Sequence, residues 1–148
     1  MRETKGGYYI SQIKQTGGRI FERLLDEAGI EEFNGAQGKI LYVLWQADQM
    51  PIVELSRRTS LAKSTLTSML DRMESRGLLE RIPSDKDRRR INIRLTDRAR
   101  ALQADYERVS EQMNECYYKG FADGEIAQFE SMLARVLENL REAEEQRG

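Results

Sequence analysis

Three consecutive arginines, Arg88, Arg89 and Arg90, stand directly after Asp87 at the end of a short polar stretch that begins at Pro83. Upstream, Lys63, Ser64, Thr65, Thr67 and Ser68 crowd a cation and four hydroxyls together, and Arg72 follows. Guanidinium and ammonium groups neutralise phosphates, while hydroxyls are short donors or acceptors at phosphates and base edges. This is the chemistry of gripping a polyanion. Bond-making chemistry has few instruments here. The chain has no histidine, which removes the usual Ser-His-Asp and Cys-His catalysis and every His-ligated metal site. Its one cysteine, Cys116, can form neither an internal disulfide nor a zinc cluster. The 11 glycines are scattered and make neither a dinucleotide-binding fingerprint nor a P-loop. No paired acids converge on a motif, so we expect no enzyme, no catalytic residue, no cofactor and no metal.

The formal net charge of −1 hides an internal division. From Ser56 to Arg100 there are 13 basic and 6 acidic residues, which leaves 11 basic and 19 acidic for the rest of the 148. A basic middle inside an acidic remainder fits a polyanion-binding face. A solvated, salt-bridged surface would give the same count, so the pattern of elements has to decide.

Ile10, Ile13, Ile20, Phe21, Leu24 and Leu25 are spaced for one helical face. The stretch around Ile40, Leu41, Val43, Leu44 and Trp45 is apolar enough for a buried helix, and Pro51 suits the start of a short one. From Lys63 a helix of about four turns turns Leu66, Met69, Leu70 and Met73 inward, with Gly77 as its terminator. The period then changes to alternation. Segments ending at Ile82 and Leu95 read as two strands, with Ile91, Ile93 and Leu95 on one face and a cationic tip between them. Thr96 is a candidate N-cap for a long helix whose seam is Ala99, Leu102, Tyr106, Val109, Met113 and Cys116. Asp123 caps a last helix carrying Ile126, Phe129, Leu133, Val136, Leu137 and Leu140.

The expected fold is mostly α with a small antiparallel β-hairpin: a winged helix-turn-helix with N- and C-terminal dimerisation helices. Residues 36–97 would form the winged domain, and residues 1–35 and 98–148 the helical dimerisation region. The terminal stripes are too long for so small a core, so a homodimer is expected through Ile13, Leu102, Tyr106, Val109, Met113, Phe129, Leu133, Val136 and Leu140. No run approaches the ~18 apolar residues of a membrane span. The opening residues lack the apolar core of a secretory leader. A cytoplasmic protein without membrane contact is expected.

Leu61 to Arg81, L-A-K-S-T-L-T-S-M-L-D-R-M-E-S-R-G-L-L-E-R, followed by D-R-R-R-I-N-I-R-L-T from Asp87 to Thr96, resembles the MarR (multiple antibiotic resistance regulator) family of bacterial transcription factors. The family's K-S-T-V-T helix start, D-R-L-E-x-x-G-L exit and D-x-R wing ending in L-T are matched in order and in register. The resemblance implies a homodimer with intertwined terminal helices, gripping a pseudo-palindromic operator in double-stranded DNA. It also implies repression that a small, aromatic or lipophilic effector relieves. One departure is Ala62, where the family often has a capping serine. Another is the thiol, which the family's peroxide-sensing branch carries near the N-terminus.

The second helix of such a motif enters the major groove. Thr65, Thr67 and Ser68 are therefore assigned to base or near-base contact, and Lys63, Ser64 and Arg72 to phosphates. By analogy with D-x-R, Arg89 is assigned to the minor groove with Asp87 fixing its guanidinium, while Arg88 and Arg90 meet the backbone. Arg81 and Arg94 stay open between DNA contact and structural pairing. An effector pocket would draw on Tyr8, Tyr9, Lys14, Arg19, Tyr42, Trp45 and Tyr106, each of which also reads as ordinary core or surface. Two alternatives stand beside this reading: a redox-responsive regulator using Cys116, which the seam would bury as inert packing, and a winged-helix module for protein–protein assembly.

Overall fold

The computed structural model describes residues 2–147 with the exception of Arg88, so the wing role given to Arg88 falls outside the described residues. The order is α1 (Gly6–Glu27), α2 (Gly35–Gln46), β1 (Met50–Pro51), α3 (Ile52–Thr59), α4 (Lys63–Ser75), β2 (Leu79–Pro83), β3 (Ile91–Leu95), α5 (Asp97–Ala101), α6 (Gln103–Tyr117) and α7 (Asp123–Arg147). The chain divides into two compact units, Met1–Met113 and Asn114–Gly148. The mostly helical winged helix-turn-helix read from the sequence is the fold observed.

In the first unit, α2 is the central helix. Asn34 starts it with a capping box: its side chain accepts from Gln37 N at 2.8 Å, and Gln37 Oε1 accepts from Asn34 N at 3.1 Å. Ile40, Leu41 and Leu44 are fully buried, together with Leu55 of α3, Leu66, Leu70 and Met73 of α4, and Ile93 of β3. Burying a leucine of this kind is worth about 2–5 kcal/mol against alanine. Helix α1 ends at a left-handed Gly29, where Ile30 N donates to the Leu25 carbonyl at 3.0 Å. Ile30 and Leu25 are both buried in the core, the usual apolar companion of that closure.

The sheet has three strands in the order β1-β3-β2, all antiparallel, where two were expected. Met50 pairs with Ile93 and Pro51 with Asn92. A two-residue strand has no alternation to read, and its proline is tolerated because it lies on an edge. The β2–β3 register sets Leu79 opposite Leu95, Arg81 opposite Ile93 and Pro83 opposite Ile91. Ile93 and Leu95 are buried as expected, but Ile91 on the same face lies beyond the core and is exposed.

Four further expectations are corrected. The long helix after Thr96 is broken at Leu102 into α5 and α6. The seam residues Tyr106, Val109 and Met113 are buried within the single chain and are not available to a second copy, and Leu102 is half-buried against the same core. Cys116, placed on that seam, is instead exposed. Asp123 also proves to be the first helical residue of α7 and not the residue before it.

The Tyr106 ring sits among Phe21, Phe33, Tyr42 and Trp45, with ring centroids 5.1–6.1 Å away. Gly38 lets this cluster close: a Cβ there would lie 2.9 Å from Tyr106 and 3.2 Å from Phe33. Helix propensity favours Gly38→Ala by about 1 kcal/mol, yet overpacking against fixed rings costs about 1–3 kcal/mol. Urea denaturation of Gly38→Ala should show a net loss of stability.

In the second unit, Tyr117, Tyr118, Phe121 and Phe129 gather at the α6–α7 corner with centroids 5.8–6.4 Å apart. Tyr118 Oη donates to Glu130 Oε2 at 2.7 Å, and this bond to a carboxylate pushes the phenol up to about 12. No residue of α7 is buried, and Phe129, Met132, Leu133, Val136, Leu137 and Leu140 are all exposed on it.

Candidate nucleic-acid interface

The helix-turn-helix is α3, a turn and α4. The turn passes through Ser60 in the left-handed region (φ 59°). Ser56 Oγ donates to the Leu61 carbonyl at 2.7 Å, and Thr59 Oγ1 to the Leu55 carbonyl at 2.8 Å. Helix α4 then begins at Ala62 without any side-chain cap. That departure from a capping serine leaves the N–H groups of the first turn, at the positive end of the helix dipole, without a side-chain acceptor from the cap residue.

Lys63, Ser64, Thr65, Thr67, Ser68 and Arg72 are all exposed, while Leu66, Leu70 and Met73 between them are buried. The helical period thus turns the entire hydroxyl-and-cation set outward. Thr67 Oγ1 donates to the Lys63 carbonyl at 2.8 Å. Its proton is spent on the helix, so toward a ligand the oxygen acts as an acceptor and the methyl as an apolar contact.

The far end of α4 is closed by Gly77 (φ 75°), with Gly77 N on the Glu74 carbonyl and Leu78 N on the Met73 carbonyl, both at 3.0 Å. Arg81 locks the helix to β2, reaching Asp71 at 2.8 Å and Glu74 at 2.7 Å. Arg94 pairs across the strands with Glu80 at 3.3 Å. Both arginines left open in the sequence therefore have structural partners.

At the wing tip, Arg90 N donates to the Asp87 carbonyl and Ser84 N to the Arg90 carbonyl, each at 3.0 Å. Asp87 Oδ1 accepts from Arg89 N at 3.0 Å and from Arg89 Nε at 3.3 Å. The Arg89 side chain is 92% exposed, so the guanidinium is aimed but not covered. Arg90 reaches the same carboxylate only at 3.9 Å and is 70% exposed.

Sequence reading counted Arg57 and Arg58 of α3 in the basic stretch but missed that they share Glu54, at 2.7 and 2.8 Å. An acid followed by bases three and four residues later was the available signal. The hydrogen bonds from both guanidiniums hold the Glu54 carboxyl well down, at about 2. A depressed carboxyl stabilises the fold above its ordinary value of 4.5 and loses that contribution as pH falls toward 2. A carbon-detected NMR titration should give Glu54 a midpoint near 2, and Arg57→Ala or Arg58→Ala should raise it.

The residues assigned to an effector pocket do not all meet. Tyr42, Trp45 and Tyr106 share the aromatic cluster, Tyr106 is raised above the ordinary phenol range chiefly by its burial, and Trp45 Nε1 donates to the Ala99 carbonyl at 3.1 Å. Tyr8 and Tyr9 pack on each other near the start of α1, and both are exposed, as are Lys14 and Arg19. A separate open groove of about 510 Å³ lies at the base of the wing, between Gln49, Glu80, Arg94, Thr96 and Arg100. Among the described residues, no cluster of three or more His, Cys, Asp or Glu could hold a metal ion. Among the same residues, no helix is long and apolar enough to cross a membrane.

A solvent-facing hydroxyl-rich second helix beside a cationic β-wing defines a winged helix-turn-helix transcriptional regulator of the DNA-binding class. The chain belongs to the MarR family: the model described as MarR family matches residues 33–91. It is 33% identical over 99 residues to the uncharacterized HTH-type transcriptional regulator YsmB of Bacillus subtilis, spanning 66% of this chain and 67% of that one. It is 29% identical over 132 residues to the multiple antibiotic resistance protein MarR of Escherichia coli, spanning 88% and 90%. The crystal structure of a mutant of that MarR complexed with operator DNA matches with a TM-score of 0.78, covering 88% of this chain and 92% of that one. The HTH-type transcriptional repressor IacR of Pseudomonas putida is 23% identical over 133 residues, 90% of this chain and 78% of that protein.

Proposed function

We propose that the chain acts as a homodimeric repressor in the bacterial cytoplasm, binding a pseudo-palindromic operator and releasing it when a small aromatic or lipophilic effector binds. No catalysis enters this reading. Residues 36–97 carry the DNA, and residues 1–35 and 98–148 carry the pairing. The observation that supports it most is Arg89, held at Nε and at its amide by Asp87 and otherwise solvent-exposed. An exposed guanidinium already aimed by a carboxylate gains from the concentrated negative potential of a narrow minor groove. Lys63, Ser64 and Arg72 hold phosphates, as does Arg90. Thr65, Thr67 and Ser68 meet base edges. With its proton spent, Thr67 accepts from an exocyclic amine of cytosine or adenine, or packs its methyl against thymine.

Pairing uses the apolar side chains the chain leaves in water: Tyr8, Tyr9, Ile10 and Ile13 on α1, and Phe129, Leu133, Val136 and Leu140 on α7. An isolated helix with an open apolar stripe is not stable alone, and a second copy covers it. For the effector, the exposed Tyr42 ring and half-buried Trp45 on the aromatic cluster are the best-supported contacts.

The test is Arg89→Ala, titrated by fluorescence anisotropy against the tightest duplex selected from a random pool. Each lost arginine contact costs about 1–3 kcal/mol, so affinity should fall roughly tenfold or more. Sedimentation should report the parent's dimer. Parental affinity in the variant would remove the wing from the interface.

A further inference from the structure

Helix α4 closes its own last turn through the carbonyls of Met73 and Glu74. Three carbonyls just beyond, on Arg76, Gly77 and Leu78, are bonded by the start of α5. Arg98 Nη1 donates to the Arg76 carbonyl at 2.5 Å, Thr96 Oγ1 to the Gly77 carbonyl at 2.7 Å, and Thr96 N to the Leu78 carbonyl at 3.2 Å. Thr96 Oγ1 also accepts from Ala99 N at 3.2 Å, so one hydroxyl caps α5 and holds the exit of α4 together. Arg98 has an acid beside it, Asp97, but that carboxylate takes Arg100 at 3.0 Å. The Arg98 guanidinium instead sits at the negative end of the α4 dipole. Arg100 ties the same turn to Asp48 at 2.7 Å, and Asp48 Oδ1 accepts from Leu95 N at 3.0 Å.

We infer that Thr96 and Arg98 are positioning residues that set how strictly this protein reads the spacing between operator half-sites. Both side chains donate to carbonyls of the chain itself, on Gly77 and Arg76. Their three bonds clamp the C-terminal end of the groove-reading helix to α5, which leads through Leu102 into α6 and so toward the pairing helices. In a dimer, the separation and tilt of the two α4 helices pass through this clamp. One extra base pair between half-sites moves them about 3.4 Å apart and turns them by roughly a tenth of a turn. A rigid clamp makes that mismatch costly, and a loosened one absorbs it. The buried Leu66, Leu70 and Met73 keep α4 folded in either case.

This inference rests on the dimeric reading above. The probes are the tightest duplex from a random-pool selection and the same duplex with one central base pair inserted. The parent should prefer the first by about tenfold to a hundredfold, because the inserted pair has to be untwisted away. Arg98→Met, on an exposed side chain, should leave the dimer intact by sedimentation. It should cut that preference to about threefold or less, with the slope of log affinity against log salt unchanged. Arg98→Lys, which can still donate to the carbonyl, should restore the preference. Thr96→Val should behave like Arg98→Met, and Thr96→Ser like the parent. A Met variant that keeps the full preference overturns the clamp. So does a salt slope lowered by about 0.9 per lost contact, which would make Arg98 a phosphate ligand. A dimeric parent that binds both duplexes equally likewise overturns the clamp, whereas a parent that is monomeric or binds neither duplex overturns the dimeric DNA-binding reading instead.

Discussion

Between 50 and 200 mM salt, affinity for the selected duplex should fall by about 10³–10⁵. The structure narrows which cations produce that slope. Of the 13 basic residues between Ser56 and Arg100, several are committed within the fold. Arg81 is held by Asp71 and Glu74, Arg94 by Glu80, Arg98 by a carbonyl and Arg100 by Asp48 and Asp97. Lys63, Arg72, Lys86 and Arg90 remain exposed on α4 and the wing. In two copies these reach the roughly 6–10 phosphate contacts that such a slope requires. Arg94→Gln should leave the slope where it is, because its guanidinium faces Glu80. Lys63→Gln should lower it by about 0.9 for each copy. A shallow response in the parent would mean that the basic face is a salt-bridged surface after all.

Leu133→Asp should abolish both pairing and tight DNA binding. In the single chain Leu133 is exposed, so a carboxylate there leaves the protomer fold in place. Pairing would bury that charge in each copy against an apolar stripe without a partner, at several kcal/mol per ion after relaxation. Two such charges exceed what a modest helical interface supplies, and sedimentation should show monomers at micromolar concentration. A single winged domain then loses the gain from tethering two half-site contacts, commonly a factor of 10²–10⁴. Glu138→Gln on the same helix is the control. A Leu133→Asp dimer that still binds would place the pairing surface elsewhere.

What could be read from the sequence follows from which signals are local. The recognition helix was legible because Leu66, Leu70 and Met73 keep a strict period and Gly77 supplies a left-handed terminator. Thr96 was legible as a cap because its hydroxyl acts within three residues. Strand β1 was not, since two residues that pair only through the backbone leave no pattern in side chains. The seam from Leu102 to Met113 correctly announced a buried face, but periodicity does not say whose core buries it. Tyr106 is covered by Phe21, Phe33 and Trp45 of its own chain. Cys116 continues the spacing past the point where that core ends, which is why it is exposed. Arg81 and Arg98 illustrate the same limit: the sequence gives their charge, and only the fold gives the carboxylates or carbonyl that take it.

Hydroxyl-radical footprinting of the dimer on its selected duplex is the most direct measurement. Two α4 helices in successive major grooves, each flanked by a wing in the minor groove, predict symmetric protected windows about one helical turn apart on one face of the DNA. Arg89→Ala should erase the outer windows first. A single unpaired window, or protection that ignores the grooves, would contradict recognition of double-stranded DNA by two such domains.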